Sequence, residues 1–174
     1  MTQATVTPVA RIGIEPLRGL LHQYGLRLEL LADGAAIPGS YWGEPEAGLV
    51  GNILYLRQDT PVHSALHEGC HYICMDEARR AGLHTDAGGT DTEENAVCYL
   101  QALLAPRLPG YSRERLFADM DAWGYHFILG SAQAWFEGDA EDAREWLRRA
   151  GLIDAAGGLN QPAQARTPWA IPDR

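Results

Sequence analysis

The chain is poor in the features that mark a membrane protein or a nucleic-acid-binding protein. Acidic residues outnumber basic ones by 23 to 14, which gives a formal net charge of −9, and no basic run is present. Sequence-independent binding to DNA or RNA requires basic side chains that neutralise phosphates, so we expect no nucleic-acid partner. No stretch approaches the roughly 20 apolar residues of a membrane span, and residues 1–17 lack the pattern of a signal peptide. The composition therefore predicts no membrane role.

Cysteine is also scarce. The chain has three cysteines, Cys70, Cys74 and Cys98, and two of them lie one helical turn apart. An odd number at this spacing is unlike a secreted disulfide framework, so we expect reduced thiols and a cytoplasmic location. Cys70 forms an apolar row with Leu66 and Cys74, which favours a core position over a metal-binding thiolate.

The remaining composition is that of an ordinary globular domain. Of the 174 residues, 46% are hydrophobic and 21% are charged, which is enough to build one sizeable core. We predict a single domain over residues 1–157. Residues 158–174 are rich in Gly, Pro and Gln, and this composition predicts an irregular or flexible tail.

Alternating apolar residues in the first third of the chain predict a small sheet. Residues 26–31 and 52–57 are expected to be strands, with a further strand at residues 40–43. We expect these strands to be antiparallel and to follow a helix over residues 15–24. The fold class predicted on this pattern is α+β, with the small antiparallel sheet packed on a helical core.

Residues 61–81 show the start and stop signals of one helix. Thr60 is a suitable N-cap for it. Arg79 and Arg80 fall in its last turn, where positive charge is favoured, and Gly82 is a natural terminator. A further helix is expected over residues 91–105. A long helical region should follow a cap at Ser112, with a bend at Gly124 or Gly130. A last short helix should follow a cap at Asp139 and contain an ion pair between Glu145 and Arg149.

Residues 67–71, HEGCH, match the pattern H-E-x-x-H. On a helix, His67 and His71 lie on one face, where two imidazoles can bind one Zn²⁺ ion. Glu68 lies at the edge of that face and can act as the general base on a metal-activated water. Two histidines at this spacing also occur on solvated helix faces, but the apolar flanks of the segment indicate a half-buried helix. A buried histidine pair needs partners, and a metal ion satisfies both rings.

A catalytic zinc site needs a third protein ligand, and the start of the next helix offers two carboxylates. Glu93 shares the apolar face of Ala96, whereas Glu94 lies to one side, nearer Gln101. We therefore prefer Glu93 as the ligand and expect Glu94 to cap the helix or to support the site. Capping is an alternative for both acids in a first helical turn. His63 extends the histidine row by one turn, and we expect it to line the cleft or make a hydrogen bond.

These motifs resemble those of a known family. Strands, then H-E-x-x-H on one helix, then E-x-x-A opening a second helix is the arrangement of gluzincin metallopeptidases. The closer resemblance is to the ImmA/IrrE-type metallopeptidase domain, which typically shows H-E-L-G-H and later E-x-x-A-N-x-F-A-x-x-L-L-M-P. In this chain the residues that fall in step with the second segment are Glu93, Ala96, Tyr99, Leu103, Leu104 and Pro106.

The resemblance covers about residues 15–106, and the motifs that carry it lie within residues 52–106. Gly69 and Cys70 replace the usual Leu-Gly pair, and Val97 stands where an Asn is common. The resemblance implies a zincin-like fold in which His67, His71 and Glu93 bind zinc and Glu68 is the base.

Hydrolysis of an amide also needs a group that stabilises the developing oxyanion. The candidates are Tyr125 and His126 in the segment AWGYHF, and His84 in the loop after the motif helix. We name His126 as the catalytic candidate. Core packing is the alternative for Tyr125, and an exposed loop position is the alternative for His84.

The leading hypothesis is therefore a zinc metallopeptidase that hydrolyses a peptide bond in a peptide or protein substrate. The alternative is a zinc-binding regulatory or protein-interaction module with little or no general protease activity. A helical protein with a chance motif is the third hypothesis, and it predicts no bound metal.

Overall fold

A computed structural model describes residues 5–40, 43–81, 89–125, 127 and 130–162. These residues form short helices and one three-stranded sheet, which confirms the α+β class. In chain order the elements are α1 (Val9–Ile12), α2 (Ile14–His22), β1 (Arg27–Leu30), β2 (Gly48–Val50), β3 (Ile53–Leu56), α3 (Val62–Cys74), α4 (Glu77–Ala81), α5 (Asp91–Leu104), a 3-10 turn (Ala105–Arg107), α6 (Arg113–Trp123), α7 (Ala132–Gly138) and α8 (Glu141–Arg149).

The sheet is mixed, and not antiparallel as predicted. Its strand order is β1-β3-β2, in which β3 pairs in parallel with β1 and antiparallel with β2. A tight turn at Gly51 and Asn52 makes β2 and β3 run in opposite directions. The long connection between β1 and β2 positions this hairpin so that β3 lies next to β1 and runs in the same direction. The strand predicted at 40–43 is not found at Ser40 or Gly43, and residues 41–42 lie outside the described ranges.

The motif helix α3 begins two residues after Thr60, and Thr60 does not cap it. Pro61 occupies the N-cap position, with no side-chain hydrogen bond to the helix. The Thr60 hydroxyl instead accepts a hydrogen bond from the Arg57 amide at 2.9 Å. The capping prediction for Thr60 is therefore wrong, because the hydroxyl closes the turn that precedes the helix.

The helix predicted over residues 61–81 is divided in two. The backbone of Met75 is extended, which ends α3 at Cys74. Asp76 then starts α4, since its carboxylate accepts a hydrogen bond from the Arg79 amide at 2.8 Å. Arg80 donates to two of the last carbonyl groups of α3, so the two short helices remain connected. Gly82 lies outside the described residues.

The helices after α5 follow the predicted signals in part. The Ser112 hydroxyl accepts a hydrogen bond from the Arg115 amide, which confirms that cap, and Gly124 ends α6 with a left-handed backbone. The predicted pair of Glu145 and Arg149 is present at 3.1 Å. The cap predicted at Asp139 is wrong, because Ala140 precedes α8 and no side chain caps it.

The core is organised around α3 and α5. The sheet packs on α3, α3 packs on α5, and α5 packs on α8. The buried apolar side chains form one continuous cluster, which Leu159 joins from the beginning of the predicted tail. Leu159 also bridges to Ile153, while residues 163–174 lie outside the described ranges. Within the described part of the chain, no helix is long and apolar enough to cross a bilayer.

Candidate metal centre

Helix α3 brings the two motif histidines together, as the i,i+4 spacing predicts. The Nε2 atoms of His67 and His71 are 3.1 Å apart, and the rings meet edge-on with centroids separated by 4.7 Å. His71 is buried and His67 is partly buried. The Nε2 atoms of the two imidazole rings therefore point toward one place.

The carboxylate at this point belongs to Glu94 and not to Glu93. Oε1 of Glu94 lies 2.9 Å from His67 Nε2, and Oε2 lies 3.3 Å from His71 Nε2. The candidate ligand atoms of the three residues all lie within 4.8 Å of one another. The preference for Glu93 is thereby corrected, and Glu94 becomes the candidate third ligand.

Glu93 is held in an ion pair with Arg79. Arg79 Nη1 contacts both carboxylate oxygens of Glu93, at 2.7 and 2.8 Å. The Glu93 carboxylate is closely covered, since a Cβ added at Gly89 would lie 2.3 Å from Glu93 Oε2. Glu93 thus fastens the start of α5 to α4, and its carboxylate does not reach the histidines.

Helix α5 is buried on two sides, which explains why its apolar phase selects the wrong glutamate. It packs against both α3 and α8, so an apolar residue such as Ala96 is buried without facing the motif helix. The row that faces the site is Glu94, Cys98 and Gln101, at i, i+4 and i+7. This polar row on a buried helix is the sequence signal that points to Glu94 as the candidate ligand.

The donor set fits a zinc ion. Zinc takes imidazole nitrogen and carboxylate oxygen at about 2.0–2.2 Å in a tetrahedron, which sets neighbouring ligand atoms roughly 3.3 Å apart. The observed separations of 3.1 Å between the two Nε2 atoms, and 2.9 and 3.3 Å from them to Glu94, match this spacing. A zinc ion held by these three residues would keep a fourth position open, which is the arrangement of catalytic zinc sites.

The pKa values of Glu94 and Glu68 are both shifted from their usual values, in opposite directions. Burial alone would raise the pKa of Glu94, but hydrogen bonds from His67 and His71 hold it well below its usual value. Glu94 is therefore ionised, as a ligand must be. Burial raises the pKa of Glu68, despite the opposing effect of the two histidines, which moves this carboxylate toward the range of a general base.

A cavity of about 570 Å³ opens beside the histidines. That volume lies within the range of about 300–1,000 Å³ typical of ligand pockets. Glu68 and Glu94 line the cavity on the side of the candidate centre, and Glu46 and Trp123 line it as well. Glu46 accepts a hydrogen bond from the Trp123 indole at 2.7 Å. Glu46 was not predicted from the sequence, because the acidic loop that contains it carries no helical or strand pattern.

Tyr125 also lines this cavity, and its ring meets that of His67 edge-on at 5.8 Å. The Tyr125 hydroxyl lies 3.2 Å from His63 Nδ1. Burial raises the pKa of Tyr125, which keeps the phenol protonated, and burial lowers the pKa of His63 to about 3, which keeps its ring neutral. His63 does not belong to the group formed by His67, His71 and Glu94, and its contact supports Tyr125 from behind.

Two predicted candidates cannot be placed. His84 and His126 lie outside the described residues. Of the oxyanion candidates, the cavity thus contains Tyr125.

The unusual interior of the motif has a packing reason. A Cβ at Gly69 would lie 3.0 Å from Leu21 Cδ2 and 3.2 Å from Leu21 Cδ1, so α3 approaches α2 closely at this point. Cys70 is fully buried in the core, and burial raises the pKa of its thiol far above the usual value. Its place in the core agrees with the prediction from the apolar row.

Comparisons of the chain with protein-family models, with curated proteins and with solved structures give no match.

Proposed function

We propose that the protein is a zinc-dependent metallopeptidase that resembles the gluzincins. The observation that carries this proposal is the convergence of His67, His71 and Glu94, with Glu68 in the adjoining cavity wall. A structural zinc site would be closed by a fourth protein ligand, whereas these three residues leave a position facing a cavity.

The chain's own residues supply the proton transfers. Bound zinc would polarise the substrate carbonyl and lower the pKa of a water molecule. Glu68 accepts the proton of the attacking water and delivers it to the leaving amine. The Tyr125 hydroxyl donates a hydrogen bond to the carbonyl oxygen as negative charge develops there, and the contact of its oxygen with His63 Nδ1 at 3.2 Å holds it in place.

The shape of the cavity favours a peptide substrate. A second cavity of about 210 Å³ shares Asn95 and Phe127 with the first, so the two form adjoining parts of one cleft. An extended chain that crosses the candidate centre can occupy both parts. We therefore propose a peptide or an unfolded segment of a protein as the substrate.

We also propose a cytoplasmic location. All three cysteines are buried free thiols, which agrees with a reducing compartment.

Metal analysis tests the candidate centre. We expect about one zinc per chain in the wild-type protein and a loss of zinc from His71→Ala, which removes a ligand. The matched control is His22→Ala, which removes an exposed histidine of α2 and should retain zinc. A wild-type protein with no stoichiometric metal would show that the motif is a coincidence.

A peptide library read by mass spectrometry tests the chemistry. Zinc-loaded wild-type protein should cleave members of the library, and Glu68→Gln should keep zinc but lose cleavage, because an amide cannot act as the base. Glu114→Gln, an exposed position on α6, is the matched control. Zinc binding without Glu68-dependent cleavage would favour the regulatory module instead.

A further inference from the structure

Gln101 is a fully buried polar residue of α5 whose side chain touches the motif helix twice. It is 0% exposed. Its Nε2 atom donates to the carbonyl oxygen of His63 at 2.9 Å, and its Oε1 atom lies 2.8 Å from His67 Nδ1. A polar side chain in the core is costly unless its hydrogen bonds are made, and both ends of this amide are bonded.

These two contacts fix the orientation of the amide. The His63 carbonyl can only accept a hydrogen bond, so the amide nitrogen of Gln101 must face it. The amide oxygen then faces His67, and because that oxygen can only accept, the proton of the contact lies on His67 Nδ1. Nε2 is the atom that points at Glu94 and at His71. Once Nε2 gives up the proton that it donates to Glu94, as metal binding requires, its lone pair is directed at that same point.

His71 has no such support in the described part of the chain. Its Nδ1 atom is buried there without a hydrogen-bond partner. The two candidate ligands therefore differ at Nδ1, the ring nitrogen that points away from the site, since Gln101 contacts that atom of His67 and no described residue contacts that atom of His71. Within the described residues, support from behind a candidate ligand comes from Gln101.

We propose that Gln101 is a positioning residue that holds His67 with its Nε2 lone pair directed at the metal. This inference rests on the proposed zinc centre. A hydrogen-bond acceptor behind a metal-binding histidine fixes its tautomer and raises its basicity, and loss of such a partner costs about 10–100-fold in metal affinity or activity.

The test is the zinc dissociation constant of Gln101→Met, measured by competition with a chelator of known affinity. Methionine preserves the length of the side chain and removes both hydrogen bonds. We expect zinc binding to weaken by about 10–100-fold relative to wild type. The second readout is the His67 Nδ1 proton in the ¹H–¹⁵N NMR spectrum of the zinc-loaded protein. This proton should be protected from exchange in wild type and exchange rapidly in the variant, while the His71 ring signals serve as the internal control.

Gln101→Glu separates the two contacts. It removes the donor to His63 but keeps an oxygen that can face His67, so zinc affinity should remain within about threefold of wild type with the Nδ1 proton still protected. If Gln101→Met fails to fold, as judged by circular dichroism, this variant decides alone. Retained affinity with a protected proton supports the proposal, and a tenfold loss overturns it.

The proposal is also overturned if Gln101→Met binds zinc as tightly as wild type, or if the Glu and Met variants weaken equally. Equal weakening would mean that the contact with His63, and therefore local structure, is what matters. A wild-type protein that binds no zinc overturns the proposed centre itself and the positioning role with it. Failure of the positioning role alone leaves wild-type zinc binding intact, so the two failures are distinguishable.

Discussion

The two adjacent glutamates of α5 offer a direct test, because the structure gives them opposite roles. Glu93→Gln removes the charge that faces Arg79, and Glu94→Gln removes the charge that faces the two histidines. Both changes replace a carboxylate with an amide of the same size in the same helical turn. A difference in stability or zinc affinity between the two variants is therefore due to where each glutamate lies and not to the kind of substitution.

The expected magnitudes follow from burial. The side chain of Glu93 is 7% exposed and that of Arg79 is 25% exposed. Breaking a buried ion pair costs about 3–5 kcal/mol, and we expect about 2 kcal/mol here, because the amide keeps one acceptor and Arg79 reaches solvent. For a chain of this length, each kcal/mol shifts Tm by about 2–4 °C, so Glu93→Gln should melt about 4–8 °C lower. Glu94 is 43% exposed, and its loss should change the stability of the metal-free protein by less than about 1 kcal/mol.

Zinc binding should show the reverse order. Glu94→Gln should bind zinc at least 100-fold more weakly, given that even outer hydrogen-bond partners of ligands cost about 10–100-fold. Glu93→Gln should keep wild-type affinity. The assay pairs thermal unfolding of the metal-free proteins with chelator competition for zinc. The reasoning is refuted if Glu93→Gln loses zinc while Glu94→Gln retains it.

Further predictions concern packing, chemistry and metal. Gly69→Leu should lower the free energy of unfolding by about 1–3 kcal/mol, since its side chain overlaps Leu21, and chemical denaturation that finds no loss contradicts the close approach. Tyr125→Phe should lower kcat about 100-fold with unchanged zinc affinity, and an unaltered kcat in peptide cleavage removes Tyr125 from the mechanism. When free zinc is present at about 100 times its Kd, its removal by a chelator should lower the free energy of unfolding by about 2.7 kcal/mol. Scanning calorimetry with and without the chelator measures this change, and equal melting temperatures would mean that no metal is specifically bound.

Much of the fold is predictable because its signals are local. The alternating residues 26–31 and 52–57 locate β1 and β3 to within a residue at each end. The sheet's mixed topology is not local, since it depends on how the hairpin of β2 and β3 crosses back to β1. The break between α3 and α4 is not predictable from the sequence, because an aspartate at position 76 is compatible with a continuous helix. Only the structure shows that its carboxylate accepts a hydrogen bond from the Arg79 amide and so starts a new helix.

The candidate site is predictable to the same extent. Helical spacing alone places His67 and His71 on one point, because the spacing is a property of one helix. The choice of the third candidate ligand depends on how two helices pack. Glu93 matches the apolar phase of α5, but a helix covered on both sides has more than one inward face, and Glu94 lies on the face toward α3. Gln101 was visible only as the last member of that face.

The two residues inside the H-E-x-x-H segment have a packing role. Gly69 allows α3 to approach Leu21 of α2, and Cys70 fills the core behind the histidines. Neither residue faces the point where His67 and His71 meet. The packing of α3 therefore accounts for both residues.

X-ray absorption at the zinc edge of the zinc-loaded protein is the sharpest test of the proposed centre, because it reports the atoms bound to the metal. We expect two imidazole nitrogens and one carboxylate oxygen at about 2.0–2.2 Å, from His67, His71 and Glu94, with no sulfur. A shell at about 2.3 Å, the distance of a zinc–thiolate bond, would contradict the proposed centre by assigning the metal to a cysteine. A spectrum of hydrated zinc with no histidine contribution would contradict it as well.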